Sequence, residues 1–486
     1  MKGSYYSVIL RSCIVITLLT CLILPNITSP AAAEQSMEAL EMNEVYQLIQ
    51  QFHVSGISEK KLSDKAIKAM VDALDDPYTR YLTKSEWQDF ENALERNYVG
   101  IGVRLGMDDS GIYAAEIFKG SPAESADIQV GDYITAVEGK STQGIYVEDL
   151  IARIVGEENT NVTITIKRNQ VLLDKKMVRK RIMLPIVETH LFSEQTGYIR
   201  LSSFSNEADE QFAAKLSELR KSSIRSLIVD LRDNGGGLLE TAQNIAKLFV
   251  KEGVLIHTDD RNHVDAPISF QGGSTVDFPV YILMNENSAS ASEVLSGALQ
   301  DYKVATVIGT QSYGKGSVQQ IYALSGGGRL KLTIEEYLTP LSRKVNKVGI
   351  TPDIPVFGGV SQVLSALQIA GIHDITLTRD RNSLFINNQE FSADHFLIQT
   401  KDNQVYVPSR VLASMVEGKL TWDGETNSVE IVSDENKQVF PVSSEGMMMV
   451  NGKTYISLDL FSKKFPQLEW TSKNDRLTLH ALKKGK

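Results

Sequence analysis

Past residue 21 this chain contains no cysteine. Its only two, Cys13 and Cys21, lie inside one N-terminal apolar run. Disulfide staples, thiol nucleophiles and thiolate metal sites are therefore excluded from everything downstream. Histidine is scarce too, and none falls between His263 and His373. A serine nucleophile in that interval has no histidine near it in sequence to act as its base. Positive charge is short: the net charge of −10 comes without any long basic stripe, which argues against nucleic acid as the main partner. Long apolar runs are missing as well. The run from Cys13 to Leu24 falls short of the ~18–20 apolar residues that span a bilayer comfortably, and no other stretch approaches that length.

What is present begins with length. At 486 residues the chain is too long for one ordinary core, and two to four domains are expected. Lys2 and Arg11 precede the apolar run, which is followed by Pro25 and then Pro30-Ala-Ala-Ala-Glu34. A basic start, a short apolar core and a small-residue exit predict a Sec signal peptide over residues 1–33, with cleavage after Ala33. An uncleaved anchor is the alternative. Either way the protein is expected to be exported, and extracellular or in the cell envelope.

Patterning divides the rest. Residues 34–95 read as helical, with Ile67, Met70, Val71 and Leu74 on one face, a packing or oligomerisation surface. Residues 96–182 form a compact β-rich unit with short helices after Ser121 and from Val147, and a strongly alternating strand at Asn161-Val-Thr-Ile-Thr-Ile-Lys167. Residues 183–372 alternate strand and helix. The buried-type strands Ser226-Leu-Ile-Val-Asp-Leu231 and Val280-Tyr-Ile-Leu-Met284 each lead through small residues into a helix, as in an α/β layer structure. Residues 373–486 contain an internal repeat. Val405-Tyr-Val-Pro-Ser-Arg-Val-Leu412 recurs as Thr454-Tyr-Ile-Ser-Leu-Asp-Leu-Phe461, and each copy continues into a tryptophan-bearing segment and a strand. Each copy offers little core alone.

The chemistry concentrates in two stretches, Asn285-Glu-Asn-Ser-Ala-Ser-Ala-Ser-Glu293 and Ser312-Tyr-Gly-Lys-Gly-Ser-Val-Gln319. A serine hydroxyl is a poor nucleophile until a neighbour accepts its proton. Lysine can do so only when neutral, which requires its reference pKa of ~10.4 to fall by roughly three units. Lys315, set between two glycines, suits that role, and Gln319 can hydrogen-bond an amine without adding charge. An oxyanion needs N–H donors. Ala291, at a helix start, offers one, and the Asn234-Gly-Gly-Gly237 turn offers another. Taken singly, a Gly-Lys-Gly triplet is usually a turn and a Ser-Ala-Ser-Ala-Ser run is usually a packing or capping segment. Their order and spacing make the case.

As a set, the motifs resemble those of the carboxyl-terminal processing, or tail-specific, serine proteases. The resemblance covers roughly residues 60–356. It runs through Asp75-Asp-Pro-Tyr-Thr79, Gly120-Ser-Pro-Ala123, Val130-Gly-Asp132, Asp230-Leu-Arg-Asp-Asn-Gly-Gly-Gly237, Ser288-Ala-Ser-Ala-Ser-Glu293, Gly314-Lys-Gly-Ser-Val-Gln319 and Gly349-Ile-Thr-Pro-Asp353.

The resemblance implies a crotonase- or ClpP-like α/β core carrying an inserted PDZ domain. It implies Ser290 as nucleophile, Lys315 as general base and Gln319 as its orienting partner, with oxyanion donors from Gly236 and Ala291. It implies capture of protein C-terminal tails near Val99, Gly100, Ile101 and Gly102, a homodimer, and no cofactor or metal. Many members carry Ile-Arg-Gly at the end of the second PDZ helix, where this chain has Ile154-Val-Gly156. The tail repeat resembles the small domain at the N-terminus of some copper amine oxidases. No metal-ligand spacing accompanies it, so core packing or cell-envelope partner binding is the expected role. Two rival readings stand beside the endopeptidase: a catalytically silent PDZ scaffold, and a Ser–His–Asp hydrolase using His257 or His263.

Overall fold

The structure is a computed structural model that describes residues 36–94, 97–108, 110–183, 185–380, 383–392, 396–434, 436–473 and 476–481. The expected signal segment lies outside the described residues. Two compact units divide the chain at Asp75.

In the first unit, Ser36 caps helix α1 (Met37–Phe52) and Ser58 caps helix α2 (Glu59–Asp72), each accepting an amide from the first turn. The Tyr46 hydroxyl, 2.9 Å from Ser63 Oγ, ties the two helices together. Neither helix has a buried residue, and Met37, Leu40, Met42, Val45 and Leu48 of α1 are exposed.

The second unit opens with the β-rich segment. Strand β1 (Val103–Asp108) is one edge of its sheet. The alternation read at Asn161–Lys167 forms a strand over Asn161–Arg168 that places Val162, Ile164 and Ile166 in the core with their neighbours outward. Helix α3 (Val147–Ile154) adds Leu150 and Ile154 to that core.

A six-stranded sheet follows. Strand β2 (Val187–Leu191) pairs antiparallel with β3 (Thr196–Leu201) and forms the sheet's edge. Helix α4 (Ala208–Lys221) leads to β4 (Ser226–Asp230), and α5 (Leu239–Ala246) precedes β5 (Val280–Met284). Helix α6 (Ala291–Asp301) then leads to β6 (Ala305–Gly309). Strands β3 to β6 run parallel. Both faces are covered, as parallel sheets require: Leu227 and Val229 of β4 join one core with α4, α5 and α6, while Ile228 joins another.

Strands β7 (Ser317–Ala323) and β8 (Arg329–Leu338) make a long hairpin in a second sheet with Gly253–Asp260 and Arg80–Leu82. Helix α7 (Gly359–Ile369) covers the other face of the six-stranded sheet. Beyond it come the hairpin β9 (Ser383–Ile386) and β10 (Gln389–Ser392), and then the two repeats. Each repeat is strand, helix, strand, strand, and their first strands pair antiparallel with Val407 opposite Ile456. Two weak cores thereby become one. That core also includes Tyr198, Ile228, Leu283 and Ile308 from the six-stranded sheet.

Candidate active site

Three neighbouring parallel strands deliver the motif loops at their carboxyl ends, where open α/β sheets place their ligands. The turn after β4 carries Asn234 to Gly237, the loop after β5 carries Ser288 to Ser292, and the loop after β6 carries Lys315.

The first two loops are bolted together. The Ala289 amide donates to Asn234 O (3.1 Å), Ser292 Oγ donates to the same carbonyl (2.8 Å), and Ser288 Oγ donates to Leu231 O (2.8 Å). Ser288 and Ser292 are fully buried and their hydroxyls are spent on these bonds, whereas Ser290 is partly exposed. Asp230 anchors the turn from below. Burial alone would raise its pKa, but Arg232 at 2.5 Å and the Tyr198 hydroxyl outweigh that, and the carboxyl lies below its usual range.

Ser290 caps α6 with φ 55° and ψ −117°, outside the regions a non-glycine residue ordinarily occupies. Such a conformation costs about 1–3 kcal/mol and persists only where its surroundings impose it. The Ser-x-x-Glu spacing supplies part of that restraint, because the Glu293 carboxylate accepts the Ser290 amide at 2.8 Å, one half of a capping box. The same carboxylate accepts Ser312 Oγ (2.6 Å) and the amides of Gly314 (2.7 Å) and Lys315 (2.9 Å). Burial raises the Glu293 pKa while these bonds pull it back. Tyr337, also buried, sets its hydroxyl 2.9 Å from Lys315 O and 3.2 Å from Ser290 O.

Burial pushes the Lys315 amine below the ordinary lysine value, against the opposing charges of Glu293 and Asp76. Its Nζ stands 5.2 Å from the centre of the Tyr78 ring. Asp76 holds that turn by accepting from the Tyr78 amide (3.0 Å) and from Thr79 Oγ1 (2.5 Å). Lys331 on β8 donates to Tyr78 O (3.2 Å). Burial, and then the Lys315 charge, bring its pKa down to about 8.

The other sequence candidates are placed as follows. Gln319 sits at a register shift in β7, and its amide donates to Ser317 Oγ (2.8 Å) and makes a long contact to Thr333 Oγ1 (3.5 Å). Among the described residues it is not bonded to Lys315. Gly236 lies directly over the nucleophile: a Cβ there would meet Ser290 Cβ at 2.8 Å and Ala291 N at 2.9 Å. The Gly236 amide donates to Asn234 Oδ1 (2.9 Å), so an oxyanion would compete with that side chain for the same hydrogen. Ala291 is the first residue of α6, where an amide has no i−4 partner. His257 and His263 pair instead with Asp265 and Asp259 of their own segment.

In the β-rich segment, Val99 and Gly100 pair with Arg181 and Lys180. Ile101 O and Gly102 O accept the amides of Ala123 and Phe118. Val155 is partly exposed at the end of α3. Arg153 donates to Ser141 O (3.0 Å), while Arg179 holds the carbonyls of Ile154 (2.7 Å) and Arg153 (3.3 Å), closing the helix end.

Sequence reasoning missed Glu293, Tyr337 and Tyr78 as site residues. The Ser-x-x-Glu capping spacing could have flagged Glu293. Nothing local flags Tyr337, which arrives from a strand read only through the fold.

Comparison with known proteins gives the lineage. Residues 195–356 match peptidase family S41, residues 114–168 a PDZ domain, residues 26–86 the activating protease CtpB N-terminal domain, and residues 365–431 the copper amine oxidase N-terminal domain. A probable CtpA-like serine protease of Staphylococcus saprophyticus is 33% identical over 359 residues, covering 72% of this chain and 73% of its own. The chain belongs to the carboxy-terminal processing serine proteases. The carboxy-terminal processing protease CtpB of Bacillus subtilis is 34% identical over 336 residues, 68% of this chain and 70% of its own. Among solved structures, a photosystem II D1 C-terminal processing protease matches 66% of this chain and 93% of its own at 27% identity, with a TM-score of 0.47. The S41 match spans the turn after β4, the serine loop and the lysine loop, so those three loops lie in the protease domain. The PDZ match includes α3, and β1 pairs with Gly111–Ile117 at the N-terminal side of the matched residues.

Proposed function

We propose that this carboxy-terminal processing protease is an exported endopeptidase that binds the C-terminal tail of a protein substrate through its PDZ domain and cleaves it by Ser–Lys acyl-enzyme chemistry. In this reading the neutral Lys315 amine takes the proton from Ser290 Oγ, and the oxygen attacks the scissile carbonyl carbon. The oxyanion gathers at the Ala291 amide and the glycine turn, with Gly236 turning its N–H from Asn234 Oδ1. Lys315 then gives its proton to the departing amine, and water hydrolyses the ester by the same route.

The observation that carries the reading is the common fastening of Ser290 and Lys315 to Glu293 and Tyr337, with the Lys315 amine desolvated. Gln319, one strand turn beyond, would reach Lys315 only after leaving Ser317. The exposed apolar residues of α1 favour a homodimer, since apolar side chains left in water gain by burial against a partner.

The test is labelling with a fluorophosphonate together with cleavage of a protein bearing an apolar tail. Wild type should label at Ser290 and cleave, and Ser290→Ala should do neither while still binding the tail. A wild-type protein that binds tails without labelling or cleaving them would be the silent scaffold.

A further inference from the structure

A cavity of about 900 Å³ opens between the PDZ domain, the edge of the six-stranded sheet and the hairpin β9–β10. Its walls are unusual in one respect. Strand β1 is the edge of the PDZ sheet and β2 is the edge of the protease sheet, so two sheet edges face one cleft. An edge strand presents unpaired N–H and C=O groups, which an extended peptide can satisfy by adding as a further strand. Val103 of β1, Ile154 at the end of α3 and Val155 just beyond it line the PDZ side, and Val187 and His190 of β2 line the opposite side.

The third wall belongs to the C-terminal domain. Ser383, Glu390 and Phe391 face the same cavity. They are fixed to the protease. The Phe391 ring packs 4.9 Å from that of His190 and 5.3 Å from that of Tyr198. Gln389 Oε1 lies 3.2 Å from His190 Nδ1, and Leu384 and Ile386 are buried in the core that includes Phe192 and Tyr198. Glu390 is held at the rim by Ser383 Oγ (2.6 Å) and stays exposed.

We propose that the hairpin β9–β10 is one wall of the substrate-binding cleft, with Glu390 and Phe391 contacting the tail upstream of the residues held between β1 and α3. This rests on the reading of the PDZ domain as the tail receptor. The occupant is an extended polypeptide because the cleft continues the groove between β1 and α3 and is bounded by two strand edges. The C-terminal domain thereby acts on substrate selection as well as on packing.

Because the chain has no cysteine beyond residue 21, a single introduced thiol reports without ambiguity. The experiment uses the full chain with Cys13→Ser, Cys21→Ser and Ser290→Ala, to which Glu390→Cys or Val155→Cys is added. The probes are synthetic peptides ending in an apolar residue with a free carboxylate, each carrying one activated thiol at successive positions, and their C-terminally amidated twins. Val155→Cys should capture peptides activated near the C-terminus. Glu390→Cys should capture those activated further upstream, with free-carboxylate peptides favoured over amidated ones by more than about tenfold. Capture at Val155→Cys with none at Glu390→Cys, at any position, overturns the hairpin wall and leaves the PDZ reading standing. Capture at neither site overturns that reading and the hairpin wall with it.

Discussion

Ser290 and Lys315 are fastened by the same two side chains. Glu293 takes the backbone N–H of both, at 2.8 and 2.9 Å, and the Tyr337 hydroxyl lies against the carbonyls of both, at 3.2 and 2.9 Å. The spacing between nucleophile and base is thus a property of two buried groups that touch neither reacting atom. Glu293→Gln exchanges one acceptor oxygen for an NH₂ that faces amide donors, so kcat should fall by about 10–100-fold with little change in KM, as losing a charged hydrogen bond worth ~1.5–3 kcal/mol implies. Tyr337→Phe should cost about 1 kcal/mol of stability and a smaller loss in kcat. Single-turnover kinetics on both variants and their double mutant would show the coupling. Additive losses would mean the two groups act separately.

Two adjacent glycines give a sharper contrast. Gly236 has φ +100°, and a Cβ there would lie 2.7 Å from Ala289 O and 2.8 Å from Ser290 Cβ. Gly235 has nothing within 4 Å of the same position. Gly236→Ala should therefore displace the nucleophile and reduce kcat by about 10²–10³-fold, the range seen when an oxyanion donor is lost. Gly235→Ala should stay within a few-fold of wild type. Steady-state kinetics on the pair suffices, and equal losses would show that the turn matters only for folding.

Activity should rise with pH through a transition below the ordinary lysine value of ~10.4, because the base must be neutral and burial lowers the Lys315 pKa. Lys331, at about 8, could mimic that transition. The two are separable: Lys331→Met should keep the transition and most of the activity, while Lys315→Met should lose about 10²–10⁴-fold. Stability follows the same groups. Between about 8 and the ordinary value the unfolded chain still holds the Lys331 proton and the folded chain has released it, so stability increases with pH across that window. Thermal melts of wild type and Lys331→Met would show the slope in the first and a smaller one in the second.

Much of this was legible in the sequence, for identifiable reasons. Val162, Ile164 and Ile166 alternate, so their strand and its buried face follow from period alone. The repeat marked two similar copies around Tyr406 and Tyr455, each ending in a strand, and the fold gives each the order strand, helix, strand, strand. The β7–β8 hairpin did not announce itself: Leu330, Leu332 and Ile334 alternate with polar neighbours until Glu336 breaks the period, most of β8 is only half-buried, and its pairing is fixed by partners as distant as Arg80. Ser290 and Lys315 could be nominated from spacing and family resemblance, but their common dependence on Tyr337 is a long-range contact that no local pattern encodes.

The tail domain is where sequence and structure part most usefully. Read as repeats, residues 373–486 look like a detachable module. In the fold, Val407, Leu412, Ile456 and Phe461 share one core with Tyr198, Ile228, Leu283 and Ile308 of the protease sheet, bridged by Val363, Leu364 and Leu367 of α7. Deleting residues 373–486 would leave α7 on that face of the sheet but remove the hairpin and repeat side chains that complete its core, exposing apolar surface on α7 and the sheet. The shortened protein should be insoluble or molten, while a protein lacking only residues 1–33 should fold. A milder probe is Leu367→Ala, which empties a fully buried site and should cost about 2–5 kcal/mol. In calorimetry that variant should lower one transition shared by protease and tail domain, with the PDZ domain, which has its own core, free to melt apart from it. If the tail domain melted alone and left proteolysis intact, the shared core would carry no thermodynamic coupling.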